Sequence, residues 1–232
     1  MKLRILLVAL ATAGLWGWGS GAAAQTPPSA SEIRAYTGLH AAVAAGDGAA
    51  VSRLIVLGAD LNARDGNGRT PAMVAAFMRD QRALTALAKA GADLNLLDHQ
   101  AYDVITIASV LDDAEMVKLA VTLGASAKLI TSPYHGTALI AAAHLGHDGV
   151  VRELIAAGAP LDHVNNLNWT ALIESIVLGD GGPRHVATLQ ALMAAGADFN
   201  IPDGNGNRPL ALAGMHGHAR MVEILTQAGA KP

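Results

Sequence analysis

Short apolar segments alternate with turns rich in glycine, asparagine and aspartate along nearly the whole chain. Residues 65–92 show the unit most clearly: a polar turn, Asp-Gly-Asn-Gly-Arg, precedes Thr-Pro, an apolar segment, a second turn, another apolar segment and Gly-Ala. In the preceding segment, Val51, Leu54 and Ile55 recur at the three- and four-residue spacing of one helix face. The pattern predicts pairs of short α-helices whose apolar faces pack on one another.

The closing Gly-Ala pair recurs with a nearly constant period. It occupies residues 58–59, 91–92, 124–125, 158–159, 196–197 and 229–230, at intervals of 33, 33, 34, 38 and 33 residues. Such a period is typical of a solenoid, because one helix pair cannot bury its apolar face alone. The predicted repeats are approximately 31–64, 65–97, 98–130, 131–164, 165–202 and 203–232.

Most units carry a residue suited to begin their first helix. Thr70 can cap a helix with its hydroxyl, and the proline after it takes the first helical position, where a missing N–H costs nothing. Asp103 replaces the threonine in the third unit and is also a capping residue. Ser29 and Glu32 have capping-box spacing, which predicts a helix running to about residue 45.

The period and the Thr-Pro helix start resemble those of ankyrin repeats. In the first unit, Thr37-Gly-Leu-His-Ala-Ala matches the family's Thr-Pro-Leu-His-x-Ala with glycine for proline. The resemblance implies an all-α ankyrin-repeat solenoid of about six helix–turn–helix repeats, joined by short hairpin fingers. The alternative, a tetratricopeptide stack, lacks the Asp-Gly-x-Gly-x-Thr turns.

The fifth unit is longer than the others. It spans 26 residues from Thr170 to Gly196, where the corresponding distance is 21 in the other units. The five extra residues fall near residues 179–185, so the sequence predicts a longer turn between the two helices of this unit.

The first 24 residues have the features of a secretory signal peptide. Lys2 and Arg4 precede an apolar stretch over residues 5–18, and three alanines before Gln25 provide a cleavage site. An uncleaved membrane anchor is the alternative, but the stretch is shorter than the roughly 20 residues that a span needs. We therefore predict a signal peptide at 1–24, a linker at 25–30, a repeat domain at 31–232 and a periplasmic location.

Composition narrows the classes of function. The net charge is −3, and −5 without Lys2 and Arg4, which argues against nucleic acid or a membrane surface as partner. The absence of cysteine excludes disulfides, cysteine zinc sites and thiol nucleophiles. No phosphate-binding loop, nucleophile elbow or His-Glu-x-x-His motif is present. We expect no enzymatic activity, no cofactor and no metal.

A few polar residues leave a ligand-binding alternative open. His144 and His147 have i, i+3 spacing, although His147 and His218 occupy the Gly-His turn of the ankyrin pattern. Glu174 lies on an inner helix where neighbouring repeats have alanine or leucine. It is either a carboxylate in the groove or a solvated or locally paired side chain. A small-molecule or metal-binding protein that uses these groups is the alternative function.

The large side chains fall mainly on the face that the fingers share with the ends of the inner helices, the concave face of an ankyrin stack. Aromatic residues and methionine are frequent at binding hot spots. The predicted partner-binding residues are Arg69, Phe77, Met78, Tyr102, Leu111, Tyr134, His144, Leu145, Trp169 and Leu178. Alternatively, these side chains pack between adjacent fingers and only stiffen the stack.

The predicted function is a monomeric, non-catalytic module that binds a partner protein. The resemblance extends to periplasmic bacterial ankyrin-repeat proteins associated with a catalase, which implies a catalase as partner and a role in peroxide resistance. A secreted effector that acts on a host protein is a further alternative. The cleavable signal peptide favours the periplasm over direct injection into a host.

Overall fold

The computed structural model describes residues 27–232, which fold into thirteen α-helices stacked side by side. The helices are α1 Ala30–Ala35, α2 Gly38–Ala44, α3 Gly48–Val56, α4 Pro71–Phe77, α5 Gln81–Lys89, α6 Val104–Val110, α7 Ala114–Thr122, α8 Ala138–His144, α9 Asp148–Ala156, α10 Ala171–Val177, α11 Pro183–Ala194, α12 Pro209–Met215 and α13 Ala219–Gln227. The predicted signal peptide, 1–24, and the first two linker residues lie outside the described residues. Within 27–232 there is no β-strand, only an isolated bridge between Thr131 and Gly136. None of these helices has the length and apolarity needed to cross a bilayer.

Twelve of the helices form six antiparallel pairs. The even-numbered helices form an inner layer, in which each packs on the inner helices of the neighbouring repeats, and the odd-numbered helices from α3 to α13 form the outer layer. The predicted all-α solenoid of six helix pairs is therefore confirmed.

Side-chain caps begin most of these helices, as the sequence predicts. The Thr70 hydroxyl accepts a hydrogen bond from the Met73 N–H, and Asp103 accepts one from the Thr106 N–H at 2.7 Å. Asp80 caps the outer helix α5 in the same way. Each cap satisfies a backbone N–H that the helix itself leaves without a partner, which is typically worth about 1 kcal/mol.

The core is a continuous apolar strip between the two layers. Met73, Ile105, Leu139 and Ile173 contribute to it from the inner helices, and Leu84, Leu154 and Leu189 contribute from the outer helices. All seven are completely buried. Burying one such side chain stabilises the fold by about 1.5–3 kcal/mol, so most of the stability comes from packing within and between repeats.

The first repeat differs from the prediction of one helix reaching residue 45. The Ser29 capping box forms, but the backbone is extended at Tyr36 and Thr37, which separates α1 from α2. Thr37 occupies the position that begins the inner helix in the other repeats, and Gly38 follows it with a positive φ of 55°. The chain must stop and restart there, because the inner helix has to align with its neighbours in the stack.

The sequence predicted that all five extra residues of the fifth repeat lie in the turn between its helices. The structure places only two of them there. The turn at residues 178–182 has two more residues than the turn at 78–80 of the second repeat. The other three lengthen α11 to 12 residues, where the other outer helices have 9. Pro183 takes the first helical position, and its fixed φ favours beginning the helix early.

Candidate functional site

A cleft of about 210 Å³ opens between the fingers and the inner helices of the third, fourth and fifth repeats. Its lining includes Tyr102, Tyr134 and Leu167 from the fingers, and His144, Leu145 and Glu174 from the inner helices and their ends. The cleft lies on the face that the sequence predicts to bind a partner.

A buried carboxylate lies in this cleft. Glu174, on α10, is only 4% exposed. Its Oε1 accepts a hydrogen bond of 2.8 Å from Asn165 Nδ2, and its Oε2 lies 3.3 Å from Nδ1 of His144. The contact with His144 joins the fourth and fifth repeats, whereas the bond from Asn165 lies within the fifth. Glu174 is therefore both a carboxylate in the groove and a locally paired side chain, so the two alternatives that the sequence left open hold together.

Comparison of the repeats shows how unusual this carboxylate is. The residue at the same position of the inner helix is apolar in all five of the remaining repeats: Ala41, Val74, Ile107, Ala141 and Leu212. An apolar side chain therefore satisfies the packing of the inner layer at this position, and the glutamate introduces a polar group where packing does not need one.

Asn165 is the residue that accommodates the carboxylate, and it is not among the residues predicted for the site from the sequence. Its Oδ1 accepts hydrogen bonds from the backbone N–H groups of Leu167 and Trp169, at 2.9 and 3.0 Å. Asp65 makes the same two bonds in the second finger. Asparagine adds an N–H₂ donor, which an ionised aspartate lacks. The signal was available, because this position is aspartate in the second, third and sixth repeats.

The rim of the cleft is apolar and accessible. Tyr134, Leu145 and Leu167 are 39%, 40% and 36% exposed, although all three are large apolar side chains. Tyr102 forms part of the wall and is only 6% exposed; burial raises its pKa to about 12, so its phenol stays neutral. An accessible apolar rim around a polar centre is a feature of surfaces that bind other molecules.

Four of the ten predicted partner-binding residues therefore meet in the cleft: Tyr102, Tyr134, His144 and Leu145. Five others are half-buried. Met78, Leu111 and Leu178 are the C-cap residues that follow α4, α6 and α10. Phe77, Met78, Leu111 and Trp169 pack against the core. A role for these five in binding stays a prediction.

The tenth residue, Arg69, is buried and not exposed, so its prediction as an accessible binding residue is wrong. It is 4% exposed and forms ion pairs with Asp65, at 2.7 Å, and with Glu32. Tyr36 donates a further hydrogen bond to Asp65. Burial opposes ionisation of Asp65, but the hydrogen bonds from Tyr36 and Arg69 outweigh it and lower the pKa of Asp65. Arg69 closes the first repeat onto the second.

The prediction that Tyr102 is exposed is also wrong, and the reason is related. Arg69 and Tyr102 both directly precede the residue that caps an inner helix, and the equivalent residues in the other four repeats are also buried or half-buried. A side chain at this position packs against its own stack, which the phase of the repeat alone does not show.

Three histidines at the starts of the outer helices connect neighbouring repeats. His147 donates to the Ser109 carbonyl at 2.8 Å, His185 to the His144 carbonyl at 3.0 Å, and His218 to the Ile176 carbonyl at 3.0 Å. His147 is therefore structural, whereas His144 faces the cleft. Within residues 27–232, no three histidine, aspartate or glutamate side chains are grouped so that they could hold a metal ion.

Comparison with known families now identifies the fold. The sequence model described as ankyrin repeats (3 copies) matches residues 21–98 and 105–203, well over half of the chain. The chain belongs to the ankyrin-repeat family. A second model, ankyrin repeats (many copies), matches residues 183–226.

Bacterial ankyrin-repeat proteins are similar to this chain in sequence and in structure. The putative ankyrin repeat protein YahD of Escherichia coli (strain K12) is 37% identical over 98 residues, which cover 42% of this chain and 49% of YahD. A putative ankyrin repeat-containing protein of Treponema pallidum (strain Nichols) is 38% identical over 89 residues, 38% of this chain and 28% of that protein. A crystal structure of an ankyrin repeat domain from Acinetobacter baumannii AYE has a TM-score of 0.77 and 38% identity, and the match covers 83% of this chain and 98% of that one.

The ankyrin-repeat fold is generally a non-enzymatic scaffold that binds protein partners. The cleft of this ankyrin-repeat protein fits that general role, because an accessible apolar rim surrounds a small number of placed polar groups. The cleft differs from the equivalent positions of the other repeats in containing the carboxylate of Glu174.

Proposed function

We propose that this protein is a non-catalytic protein-interaction module of the periplasm, which binds a partner protein through the cleft between the third, fourth and fifth repeats. One observation carries the proposal: three exposed large apolar side chains, Tyr134, Leu145 and Leu167, surround the same cleft. Burial of exposed apolar groups against a partner stabilises the complex by about 25 cal/mol for each Å² removed from water.

A site-specific crosslinking experiment tests where the partner binds. Leu167 is replaced by p-benzoylphenylalanine in the full chain, expressed in the source cells and irradiated. We expect one crosslinked partner, which is then purified. The matched control carries the same group at Leu57, which is exposed on the outer layer. The same crosslinked species from both positions would contradict the proposal.

Affinity measurements with the purified partner complete the test. We expect the double variant Tyr134→Ala/Leu145→Ala to bind at least tenfold more weakly, a loss of about 1.4 kcal/mol. Val56→Ala/Leu57→Ala is the control, because both side chains are exposed at the end of an outer helix. Equal affinity of the cleft variant and the wild type would overturn the assignment of the cleft.

The periplasmic location is supported by the composition of residues 1–24 and by the absence of cysteine. The proposal predicts that osmotic shock releases a mature chain that begins near Gln25. Recovery of the chain only from the cytosol, with residues 1–24 retained, would contradict it.

A periplasmic catalase is the partner we propose, on the basis of the sequence resemblance to catalase-associated periplasmic ankyrin-repeat proteins. The expected result is that catalase activity copurifies with the wild type and is lost with Tyr134→Ala/Leu145→Ala. Copurification of a different protein with the same dependence on the cleft would rule out the catalase and leave the binding function standing.

A further inference from the structure

We propose that the cleft takes up a positively charged side chain of its partner protein, an arginine or a lysine, and that Glu174 binds the charge. This inference rests on the proposed function, because it specifies the chemistry of the partner segment that enters the cleft.

The first argument is that the stack has no packing requirement for the carboxylate. Five of the six repeats have alanine, valine, isoleucine or leucine at this position of the inner helix. Burying a carboxylate is unfavourable unless partners compensate for the water it loses. A group that is costly and not needed for packing is expected to have a role outside the stack.

The second argument is that the chain compensates the carboxylate only in part. Asn165 offers a neutral amide, and His144 offers an imidazole that carries charge only when protonated. Within residues 27–232, no lysine or arginine lies within ion-pair distance of Glu174. A permanent cation from a partner would supply the charge that the chain itself does not place there.

The third argument is the match between the rim and a long basic side chain. The aliphatic stem of lysine or arginine packs on apolar surface while its charged end reaches a polar group. Leu145 and Leu167 provide such a surface beside Glu174. Tyr134 adds an aromatic ring, and such rings attract cations at about 6 Å or less.

The charge of the whole protein favours the same kind of partner. Residues 27–232 contain all 19 acidic side chains of the chain. They contain only 14 of its 16 basic side chains, because Lys2 and Arg4 lie within residues 1–26. The resulting formal charge of −5 attracts a basic segment and repels an acidic one.

Selection of peptides on the purified protein tests the inference. The probe is a phage library of random twelve-residue peptides, and the selected sequences are synthesised with a fluorescent label for affinity measurements. We expect them to carry one arginine or lysine flanked by apolar residues. Glu174→Gln should weaken their binding at least tenfold. The matched control Glu115→Gln, at an exposed outer-helix position, should leave binding unchanged.

A change in the peptide keeps the test independent of how the variant folds. Replacing the peptide arginine by citrulline removes the charge and retains the shape, so binding to wild type should also fall at least tenfold. Because both changes break one contact, citrulline should cause little further loss on Glu174→Gln. Full additivity of the two losses would overturn the inference.

The remaining outcomes separate this inference from the proposed function. Peptides that lose binding on Tyr134→Ala, but lack a basic residue and tolerate Glu174→Gln, would overturn the role of the carboxylate and support the binding cleft. Peptides that bind equally well to Tyr134→Ala and Glu174→Gln, or no selected peptides at all, would overturn both.

Discussion

Within residues 27–232, two of the buried polar clusters that join neighbouring repeats differ in how their charges are compensated. Between the first and second repeats, Asp65 and Glu32 both contact the guanidinium of Arg69. In the second cluster, Glu174 contacts the imidazole of His144 in the fourth repeat and the neutral amide of Asn165 in its own repeat. The first cluster contains its own permanent cation, whereas the second does not.

The difference indicates different roles for two sites of similar burial. A buried charge whose partner is supplied by the same chain couples two repeats, and loss of either partner leaves the other uncompensated. A buried carboxylate beside an accessible cleft, without a fixed cation, can instead bind a charge from another molecule. The comparison therefore separates a structural cluster from the candidate binding site.

The largest expected effect comes from removing the cation of the first cluster. Arg69→Met leaves Asp65 buried without its cation, and we expect a loss of about 3 kcal/mol in the free energy of unfolding, measured by urea denaturation. The control is Arg79→Met, because Arg79 is exposed and its ion pair with Asp113 should contribute less than about 1 kcal/mol. Equal losses in the two variants would show that burial of the Arg69 pair adds nothing.

The stability difference between wild type and Arg69→Met should depend on pH. The pKa of Asp65 is lowered in the folded protein, so its stabilising contribution is complete above its ordinary pKa of 3.8 and is lost as pH falls through the lowered value. The difference in free energy of unfolding should therefore be largest near neutral pH and shrink below pH 3.8. A difference that stays constant down to pH 2.5 would contradict this assignment.

A smaller effect is expected when the amide partner of Glu174 becomes a carboxylate. Asn165→Asp retains the acceptor for the two finger N–H groups but places a second negative charge beside Glu174. We expect a loss of about 1–2 kcal/mol at pH 7, from unfavourable charge and a lost hydrogen bond. The double variant Asn165→Asp/Glu174→Leu should recover most of it, and no recovery would refute the coupling between the two residues.

The smallest effect on stability is expected at Glu174 itself. Glu174→Leu inserts the residue that the sixth repeat has at this position, and the free energy of unfolding should change by less than about 1 kcal/mol. Binding of a basic peptide should nevertheless be lost. A loss of stability as large as that of Arg69→Met would mean that both clusters are structural.

Local signals along the chain were enough to predict most of the fold. Thr70, Asp103 and the Gly-Ala pairs act within one helix or one turn, so their effect can be deduced from neighbouring residues. The break before Thr37 was missed because the capping box of Ser29 is a strong local start. The position of the next helix is set by alignment with the second repeat.

The candidate site was predictable only in part. The sequence predicted the face on which the cleft lies and four of the residues that line it. It did not show that Arg69 and Tyr102 are buried, because exposure depends on the repeat packed against each finger. The hydrogen bond between Asn165 and Glu174 joins a finger side chain to a helix side chain nine residues away. An asparagine in place of the usual aspartate, or a glutamate in place of an apolar residue, does not indicate this bond by itself. The two differences predict it only when they are considered together.

The sequence alone determined the number of repeats and their helix pairs, since these follow from a period, caps and glycines that act over a few residues. Only the tertiary structure decided which polar groups are compensated within the chain and which face an open cleft. Part of that compensation comes from contacts between repeats, Glu32 with Arg69 and His144 with Glu174, and those distances exist only once the repeats are stacked.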